Sequence, residues 1–208
     1  MSALPDLESV TAQEVLAYGV QRFGDRLVLA CSFQKEESVL FHMLSELGGG
    51  GVGAFTIDTG VLYPETLATW KRFEQRFPQV AIEVFDAISP DAPWTAQRCC
   101  GEAKVAALEF ALSGVQAWIT GIRREQAPTR AAAPKLEFDE RRQIHKLNPL
   151  ADWTERDVWR YVFEHELPYH PLHDEGYASI GCAPCTQPGS GRDGRWSGQD
   201  KTECGIHV

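Results

Sequence analysis

The pattern of apolar and polar residues changes repeatedly between short apolar runs and longer amphipathic stretches. Residues 27–31 form a continuous apolar run of the length expected for a buried parallel strand. After a short polar segment, a stripe of apolar residues at helical spacing runs from Val39 to Leu47. This part of the chain therefore predicts a strand, a loop and a helix.

Similar patterns predict further strands and helices along the chain. The strands are predicted at residues 52–57, 80–85 and 116–120. The helices are predicted from Thr11-x-x-Glu14 to Gly24, from Pro64 through residue 77, over residues 104–112, and from Thr154-x-x-Asp157 to near Pro168. Because strands alternate with helices, the sequence predicts an α/β fold with a doubly wound, mainly parallel sheet and helices on both faces.

The composition of the chain predicts how it divides into a domain and a tail. The chain has 208 residues, of which 43% are hydrophobic, and this is enough apolar material for one core. We expect a single α/β domain over residues 1–187 and a flexible C-terminal tail over residues 188–208, where glycine, serine and aspartate are frequent. With no apolar run of membrane-spanning length and no basic signal region, we expect a soluble, cytoplasmic protein with no membrane partner.

Charge narrows the choice of partners. The formal net charge of −9 argues against binding of nucleic acid, which needs a concentrated basic surface. The arginines are nevertheless clustered, and we expect only the pair Arg141-Arg142 to be simply solvated. The others lie near glycines and cysteines, where a small anionic ligand would account for them. They are Arg123, Arg124, Arg130, Arg192 and Arg195.

Four of the six cysteines form two tight pairs, Cys99-Cys100 and Cys182-x-x-Cys185. Consecutive Cα atoms are only about 3.8 Å apart, so Cys99 and Cys100 are poorly placed to form a disulfide with each other. Together the pairs predict a four-thiolate metal site. Zinc ligands are usually separated by roughly two to four residues, whereas a vicinal pair suits the several irons of a cluster. We therefore favour a [4Fe–4S] cluster over zinc, and over four reduced core thiols.

The loop after the first predicted strand is a candidate anion site. Its free backbone N–H groups, with Ser32 and Lys35, could receive a phosphate or sulfate at the start of the following helix. The loop is not a Walker loop, which requires Gly-x-x-x-x-Gly-Lys-Ser/Thr. An N-capping role for Ser32 is the simpler interpretation.

The two remaining cysteines have different interpretations. Cys31 ends an apolar strand and is most simply a core residue. Cys204 is either a nucleophile, activated by the positive charge of Arg192, Arg195 and His207, or an exposed cysteine with no task. The residues around it do not decide between the two.

Taken together, these segments resemble the assimilatory sulfonucleotide reductases, specifically the adenylylsulfate (APS) reductases that carry an iron–sulfur cluster. The resemblance covers nearly the whole chain and implies an adenine nucleotide α-hydrolase-like fold. It rests on Ser32-Phe33-Gln34-Lys35-Glu36, Asp58-Thr59-Gly60, Tyr63-Pro64-Glu65-Thr66, Cys99-Cys100 with Lys104, Thr120-Gly121-Ile122-Arg123-Arg124, Asn148-Pro149-Leu150-Ala151-Asp152-Trp153, Pro168-Tyr169-His170-Pro171-Leu172, Gly181-Cys182-x-x-Cys185 and Glu203-Cys204-Gly205-Ile206-His207.

The resemblance also implies a reaction and a set of site residues. Cys204 would attack the sulfur of APS, expel AMP and become an S-sulfocysteine, from which a separate thioredoxin releases sulfite for cysteine biosynthesis. A [4Fe–4S] cluster would be held by Cys99, Cys100, Cys182 and Cys185. Substrate-binding roles are implied for Ser32, Phe33, Gln34, Lys35, Asp58, Leu62, Lys104, Arg123, Arg124, Arg130, Arg192, Arg195 and His207. Whether the chain forms a homo-oligomer stays open.

Three alternatives remain beside this interpretation. Gln34-Lys35 replaces the small Gly-Ala often found in this loop, which leaves 3′-phosphoadenylylsulfate open as the substrate. An ATP-pyrophosphatase-type tRNA-thiolating enzyme is disfavoured because the chain lacks a Ser-Gly-Gly-x-Asp-Ser loop. A non-catalytic cysteine–metal module is disfavoured by the clustered cations and by Cys204.

Overall fold

The structure is a computed structural model that describes residues 4–48, 51–88 and 101–196, together with Glu203. Cys99, Cys100, Cys204 and His207 lie outside the described residues. Within the described ranges, no helix is both long enough and apolar enough to cross a membrane.

A six-stranded sheet forms the centre of the fold, with strand order β3-β2-β1-β4-β6-β5. All neighbouring strands are parallel except β5 and β6, which form an antiparallel pair at one edge. The strands are β1 (Leu27–Ala30), β2 (Gly53–Asp58), β3 (Ile82–Asp86), β4 (Ala117–Ile119), β5 (Leu136–Asp139) and β6 (Ile144–Leu147). This topology confirms the α/β fold class predicted from the sequence.

Five α-helices connect and cover these strands in the described part of the chain. They are α1 (Ala12–Phe23), α2 (Lys35–Glu46), α3 (Pro64–Arg76), α4 (Glu102–Ala111) and α5 (Glu155–Glu164). Thr11 caps α1 and Thr154 caps α5 through the two capping boxes that the sequence predicts. Pro64 occupies the first turn of α3, where its missing N–H leaves no bond unmade.

Alternate residues of β1 point to two apolar cores on opposite faces of the sheet. Leu27 and Leu29 join the larger cluster, which also includes Val15 of α1, Leu40 of α2 and Val158 of α5. Val28 and Ala30 pack against the smaller cluster, to which Leu108 of α4 and Phe55 of β2 belong. A strand buried on both faces reads as a continuous apolar run, which explains the pattern at residues 27–31.

The hairpin of β5 and β6 was not predicted from the sequence. Each strand has only four residues and both carry charges, so neither forms an apolar run. The hairpin also shows that the prediction of a solvated Arg142 is wrong. The Arg142 guanidinium is largely buried, with Nη1 2.8 Å from an Asp139 oxygen and Nε 3.0 Å from Glu109 Oε1. It joins the hairpin turn to α4.

Residues 188–196, assigned from the sequence to a flexible tail, pack against the domain. The Gly189 N–H donates to the carbonyl of Gly176 at 3.0 Å, and the Trp196 N–H donates to that of Cys185 at 2.9 Å. The Trp196 side chain is buried.

Candidate active site

A cavity of about 480 Å³ opens at the carboxyl ends of the central parallel strands. Loops after β1 and β4 form one side of it, and residues 178–181 and 190–195 form the other. A smaller cavity of about 130 Å³ adjoins it, and Ser32, Glu37 and Lys104 line both. Ligands of open α/β sheets gather at this edge, because the strands there feed loops and helix N-termini.

The loop after β1 brings Ser32 and Gln34 into the larger cavity. Phe33 adopts a φ of 60°, and its ring lies buried against Trp70 with centroids 5.1 Å apart. Gln34 is the N-cap residue of α2, so the interpretation of Ser32 as the N-cap is wrong. The Ser32 hydroxyl instead donates to Glu37 at 3.1 Å, and the Ile180 N–H donates to the Gln34 side-chain oxygen at 2.9 Å.

Two consecutive buried carboxylates, Glu36 and Glu37, lie behind this loop. Burial acts to raise the pKa of Glu36, but the charges of Lys35 and Arg123 outweigh it and bring the pKa to about 2. Burial and the adjacent Glu36 charge raise the pKa of Glu37 to about 7. Gly121 leaves room for both, since a Cβ there would lie 2.7 Å from Glu37 Oε1.

Arg123 lines the larger cavity, but its charge is already taken up by acidic groups. Its Nη2 lies 2.9 Å from Glu36 Oε1, its Nη1 lies 3.3 Å from Glu125, and it also pairs with Glu155. Burial acts to lower the pKa of Arg123, but Glu36 and Glu155 raise it overall. Arg123 therefore stabilises the cavity wall.

Lys35 and Arg124 do not line either cavity. The Lys35 ammonium is buried, donates to the Ala178 carbonyl at 3.2 Å and lies 3.3 Å from Glu155. Arg124 donates to the Ala133 carbonyl at 2.9 Å and pairs with Glu8. The structure thus separates these two cations from those that face the cavity.

Arg130 and Arg192 line the larger cavity and share one carboxylate, that of Glu203. Arg130 binds it through two nitrogens, with Nη2 2.7 Å from Oε2 and Nε 2.9 Å from Oε1. Arg192 Nη2 lies 3.1 Å from Oε2. Burial acts to raise the pKa of Glu203, but the hydrogen bond and charge of Arg130, with the charge of Arg192, lower it.

Arg195 lines the cavity beside residues 179–181. Its Nη1 donates to the Ser179 hydroxyl at 3.2 Å, and its guanidinium carbon lies 4.6 Å from the Trp196 ring centroid. A Cβ at Gly181 would lie 2.4 Å from Arg195 Nη2, so only glycine leaves the guanidinium in this position. No carboxylate in the described part of the chain lies within salt-bridge distance of Arg195.

The Cys182-x-x-Cys185 pair adjoins the smaller cavity. Both thiols are buried, and a single turn, Ala183–Cys185, brings them together under Trp196. Thr59 Oγ1 lies 3.2 Å from Cys182 Sγ. Lys104, four residues after Cys100 in the sequence, lines the same cavity as Cys182.

Of the other predicted residues, Leu62 lines the smaller cavity and packs beside the cysteine pair. The Asp58 carboxylate accepts the Gly60 N–H at 2.8 Å at the end of β2. Cys31 is buried as predicted for a core residue, and burial raises the pKa of its thiol. Among the described residues, no cluster of three or more histidine, cysteine, aspartate or glutamate side chains could hold a metal ion.

Comparison with known proteins identifies the family. A family model described as the phosphoadenosine phosphosulfate reductase domain matches residues 26–188. The chain belongs to this reductase family. Its fold matches a solved phosphoadenylyl-sulfate (PAPS) reductase from Candida auris, with a TM-score of 0.72 and 27% identity over 87% of this chain and 92% of that one.

Two curated relatives of the reductase family match nearly the whole chain. A protein named adenosine 5′-phosphosulfate reductase from Geobacillus kaustophilus is 41% identical over 98% of this chain and 92% of its own length. A protein named phosphoadenosine 5′-phosphosulfate reductase from Gloeobacter violaceus is 43% identical over 97% of this chain and 90% of its own length.

Sequence reasoning missed two acidic residues of this candidate site. Glu37 lines both cavities, and Glu203 pairs with both Arg130 and Arg192, so one carboxylate is shared between two cations. A search for anion-binding cations passes over carboxylates. The signal available for Glu203 was its position directly before Cys204 in the terminal motif.

Proposed function

We propose that this protein is an adenylylsulfate reductase that uses thioredoxin to convert APS to sulfite and AMP. The observation that carries the proposal is the larger cavity, where Lys104, Arg192 and Arg195 face the loop after β1. The relatives that match nearly the whole chain, several of them named adenosine 5′-phosphosulfate reductase, support the same activity. The sulfite would serve sulfate assimilation and cysteine biosynthesis in the cytoplasm.

The substrate is an adenosine joined to a phosphosulfate, and the two cavities differ in a way that suits its two ends. We assign the phosphosulfate to the larger cavity, where Ser32 and Gln34 offer polar groups and Arg195 offers a cation. We assign the adenosine to the side of the smaller cavity, which apolar groups such as Leu62 and Ile57 line.

Cys204 is the proposed nucleophile. Its thiolate attacks the sulfur of APS, a bond forms between the two sulfur atoms, and the bond between sulfur and the bridging oxygen breaks. AMP leaves with that electron pair, and the cysteine becomes an S-sulfocysteine. Because the thiolate, the sulfuryl group and the leaving phosphate are all anionic, nearby cations lower the barrier by offsetting their repulsion. Lys104, Arg192 and Arg195, with His207, are assigned to this role.

Thioredoxin completes the reaction. One of its thiolates attacks the Cys204 sulfur, sulfite leaves with the electron pair of the sulfur–sulfur bond, and a mixed disulfide forms. The second thioredoxin thiol resolves that disulfide and returns Cys204 to its thiol form. The sulfur of APS is thereby reduced by two electrons and thioredoxin is oxidised to its disulfide.

We assign a [4Fe–4S] cluster to Cys99, Cys100, Cys182 and Cys185, and the surroundings of Cys182 and Cys185 support this assignment. Cys182 and Cys185 are buried side by side, and Thr59 offers a hydroxyl to Cys182. The buried indole N–H of Trp196, beside this pair, has no acceptor among the described residues, and a sulfur-rich group would supply one. When bound, such a cluster supplies concentrated charge close to the substrate site.

A second candidate substrate is 3′-phosphoadenylylsulfate. The Gloeobacter violaceus relative, at 43% identity, carries the name of that activity. Side-by-side measurement of kcat/KM with the two nucleotides distinguishes them. We expect a clearly higher kcat/KM for APS. A higher kcat/KM for the 3′-phosphorylated nucleotide would make that nucleotide the proposed substrate.

Mass spectrometry tests the mechanism directly. Enzyme mixed with APS and no thioredoxin should gain one sulfite adduct on Cys204 and release one equivalent of AMP. Cys204→Ser should gain no adduct while retaining its iron and its affinity for AMP. An adduct on another cysteine, or undiminished turnover by Cys204→Ser, would contradict the assignment of the nucleophile.

A further inference from the structure

Glu203 is bound by three side chains from two separate parts of the chain. Thr129 donates its hydroxyl to Oε1 at 2.8 Å, and Arg130 donates Nε to the same oxygen at 2.9 Å. The other oxygen, Oε2, accepts Arg130 Nη2 at 2.7 Å and Arg192 Nη2 at 3.1 Å. Each of the two carboxylate oxygens of Glu203 therefore accepts two hydrogen bonds.

The geometry of these contacts distinguishes them from an ordinary surface ion pair. The side chains of Glu203, Arg130 and Arg192 are only 11%, 9% and 15% exposed. A two-nitrogen contact between arginine and carboxylate fixes orientation as well as distance. Gln126 in turn orients Arg130, whose Nη1 lies 2.6 Å from the Gln126 side-chain oxygen. The Glu203 carboxylate is therefore held in a defined position and orientation.

The position of Glu203 in the sequence connects this site to the proposed nucleophile. Glu203 immediately precedes Cys204, and Cα atoms joined by a trans peptide lie about 3.8 Å apart. Arg130 and Arg192 both line the larger cavity. An anchor at Glu203 therefore limits how far Cys204 can lie from the edge of that cavity.

We propose that Glu203 is a positioning residue that anchors the chain before Cys204 to Arg130, Thr129 and Arg192, and so holds the nucleophile within reach of the bound nucleotide. The proposal rests on the proposed function, in which Cys204 attacks APS. Restricting a nucleophile to the neighbourhood of its target raises its effective concentration and speeds the chemical step. It adds no contact to the nucleotide and leaves the affinity for the nucleotide unimproved.

A different role would predict the opposite result. If the Glu203 carboxylate merely occupied the place of an anionic substrate group, its removal would free Arg130 and Arg192 for the nucleotide. Binding would then become tighter, and the chemical step would be no slower. The two roles differ in the rate of adduct formation at saturating APS.

The test compares Glu203→Gln, which keeps the size of the side chain, with Glu203→Asp, which keeps its charge. For each variant we would measure the dissociation constant for AMP and, in single turnover without thioredoxin, the rate of adduct formation on Cys204 at saturating APS. We expect Glu203→Gln to slow adduct formation on the order of tenfold, with no weakening of AMP binding. Glu203→Asp should recover part of the rate.

Thr129→Val provides a second, milder variant, because it removes one donor and leaves both arginine contacts in place. It should slow adduct formation by roughly twofold to threefold. Glu175→Gln is the matched control, since Glu175 is exposed and takes part in no described ion pair. Its rate should equal that of the wild type.

Equal rates of adduct formation in the wild type and Glu203→Gln would overturn this inference alone. A loss confined to AMP affinity in Glu203→Gln, with an unchanged rate at saturation, would also overturn it. A wild-type enzyme that forms no adduct on Cys204 would overturn the proposed function and, with it, this inference.

Discussion

Glu36 and Glu37 are consecutive residues of α2, are both buried, and have pKa values on opposite sides of the usual value for glutamate. The cations Lys35 and Arg123 hold Glu36 in its charged form. Glu37 accepts hydrogen bonds from two neutral donors, the Gln34 N–H and the Ser32 hydroxyl, and lies next to the Glu36 charge. The result is a charged carboxylate beside one that is close to half protonated at neutral pH.

The first prediction concerns Glu37→Gln and the pH dependence of stability. The pKa of Glu37 rises from 4.5 to about 7 on folding, so the folded protein holds a proton that the unfolded chain releases. Wild-type stability from this group is fully present below pH 4.5 and falls as the pH rises through about 7. Glutamine does not titrate, so the free energy of unfolding of Glu37→Gln does not depend on pH through this residue. Relative to the wild type, the free energy of unfolding of Glu37→Gln should therefore rise by about 1–3 kcal/mol from pH 5.5 to pH 8.

Denaturant unfolding of both proteins at the two pH values checks this prediction. Glu36 does not interfere, because its pKa is lowered to about 2 and its contribution is lost only as the pH falls below 4.5 toward that value. Parallel pH profiles of wild type and Glu37→Gln would show that Glu37 is ionised in the folded protein throughout this range.

The second prediction concerns Arg123→Met. The substitution leaves Glu36 buried without one of its two cationic partners, and the side chains of Arg123 and Glu36 are only 3–4% exposed. Breaking a buried pair by removing one partner typically costs about 3–5 kcal/mol, and we expect a loss of that order in the free energy of unfolding. Arg124→Gln is the control, because the pair of Arg124 with Glu8 is 32% and 45% exposed and should contribute about 1 kcal/mol or less. Similar losses in the two variants would contradict the prediction.

The third prediction concerns Gly181→Ala. The added Cβ would meet the Arg195 guanidinium at 2.4 Å and move it away from its place in the cavity wall. Affinity for AMP, measured by calorimetry, should fall by about tenfold as a charge-assisted contact is lost. Gly53→Ala in β2 is the control, since its Cβ would meet only the Ala81 carbonyl at an ordinary 3.5 Å. An unchanged AMP affinity in Gly181→Ala would remove Arg195 from the proposed anion site.

The fourth prediction concerns the cysteines. Cys182→Ser and Cys185→Ser should each lose the iron and the broad visible absorbance expected of anaerobically purified protein, because a cluster depends on its full set of thiolates. Cys31→Ala should retain both, since Cys31 belongs to the apolar core. Stoichiometric zinc in the wild type, without iron or sulfide, would contradict the cluster and indicate a zinc site.

Local patterns in the sequence were sufficient for the framework of this protein. The apolar run at residues 27–31 and the capping boxes at Thr11 and Thr154 predict elements that the structure confirms. These signals are local, because burial on both faces of a strand and capping of a helix each depend on neighbouring residues. The β5 and β6 hairpin lacked such a signal, since its short charged strands are buried mainly by their neighbours in space.

The sequence alone also determined the motifs that define the reductase family, but the roles of individual charges depended on the tertiary structure. Lys35 and Arg123 looked equivalent to Lys104 and Arg195 as anion-binding cations. The fold places Glu36 and Glu155 beside Lys35 and Arg123, although Arg123 also lines the larger cavity. Arg195 lines the same cavity with no carboxylate of the described residues within salt-bridge distance. The energy of a charge depends on its burial and on the partners within a few ångströms, and residues distant in the sequence supply most of those partners.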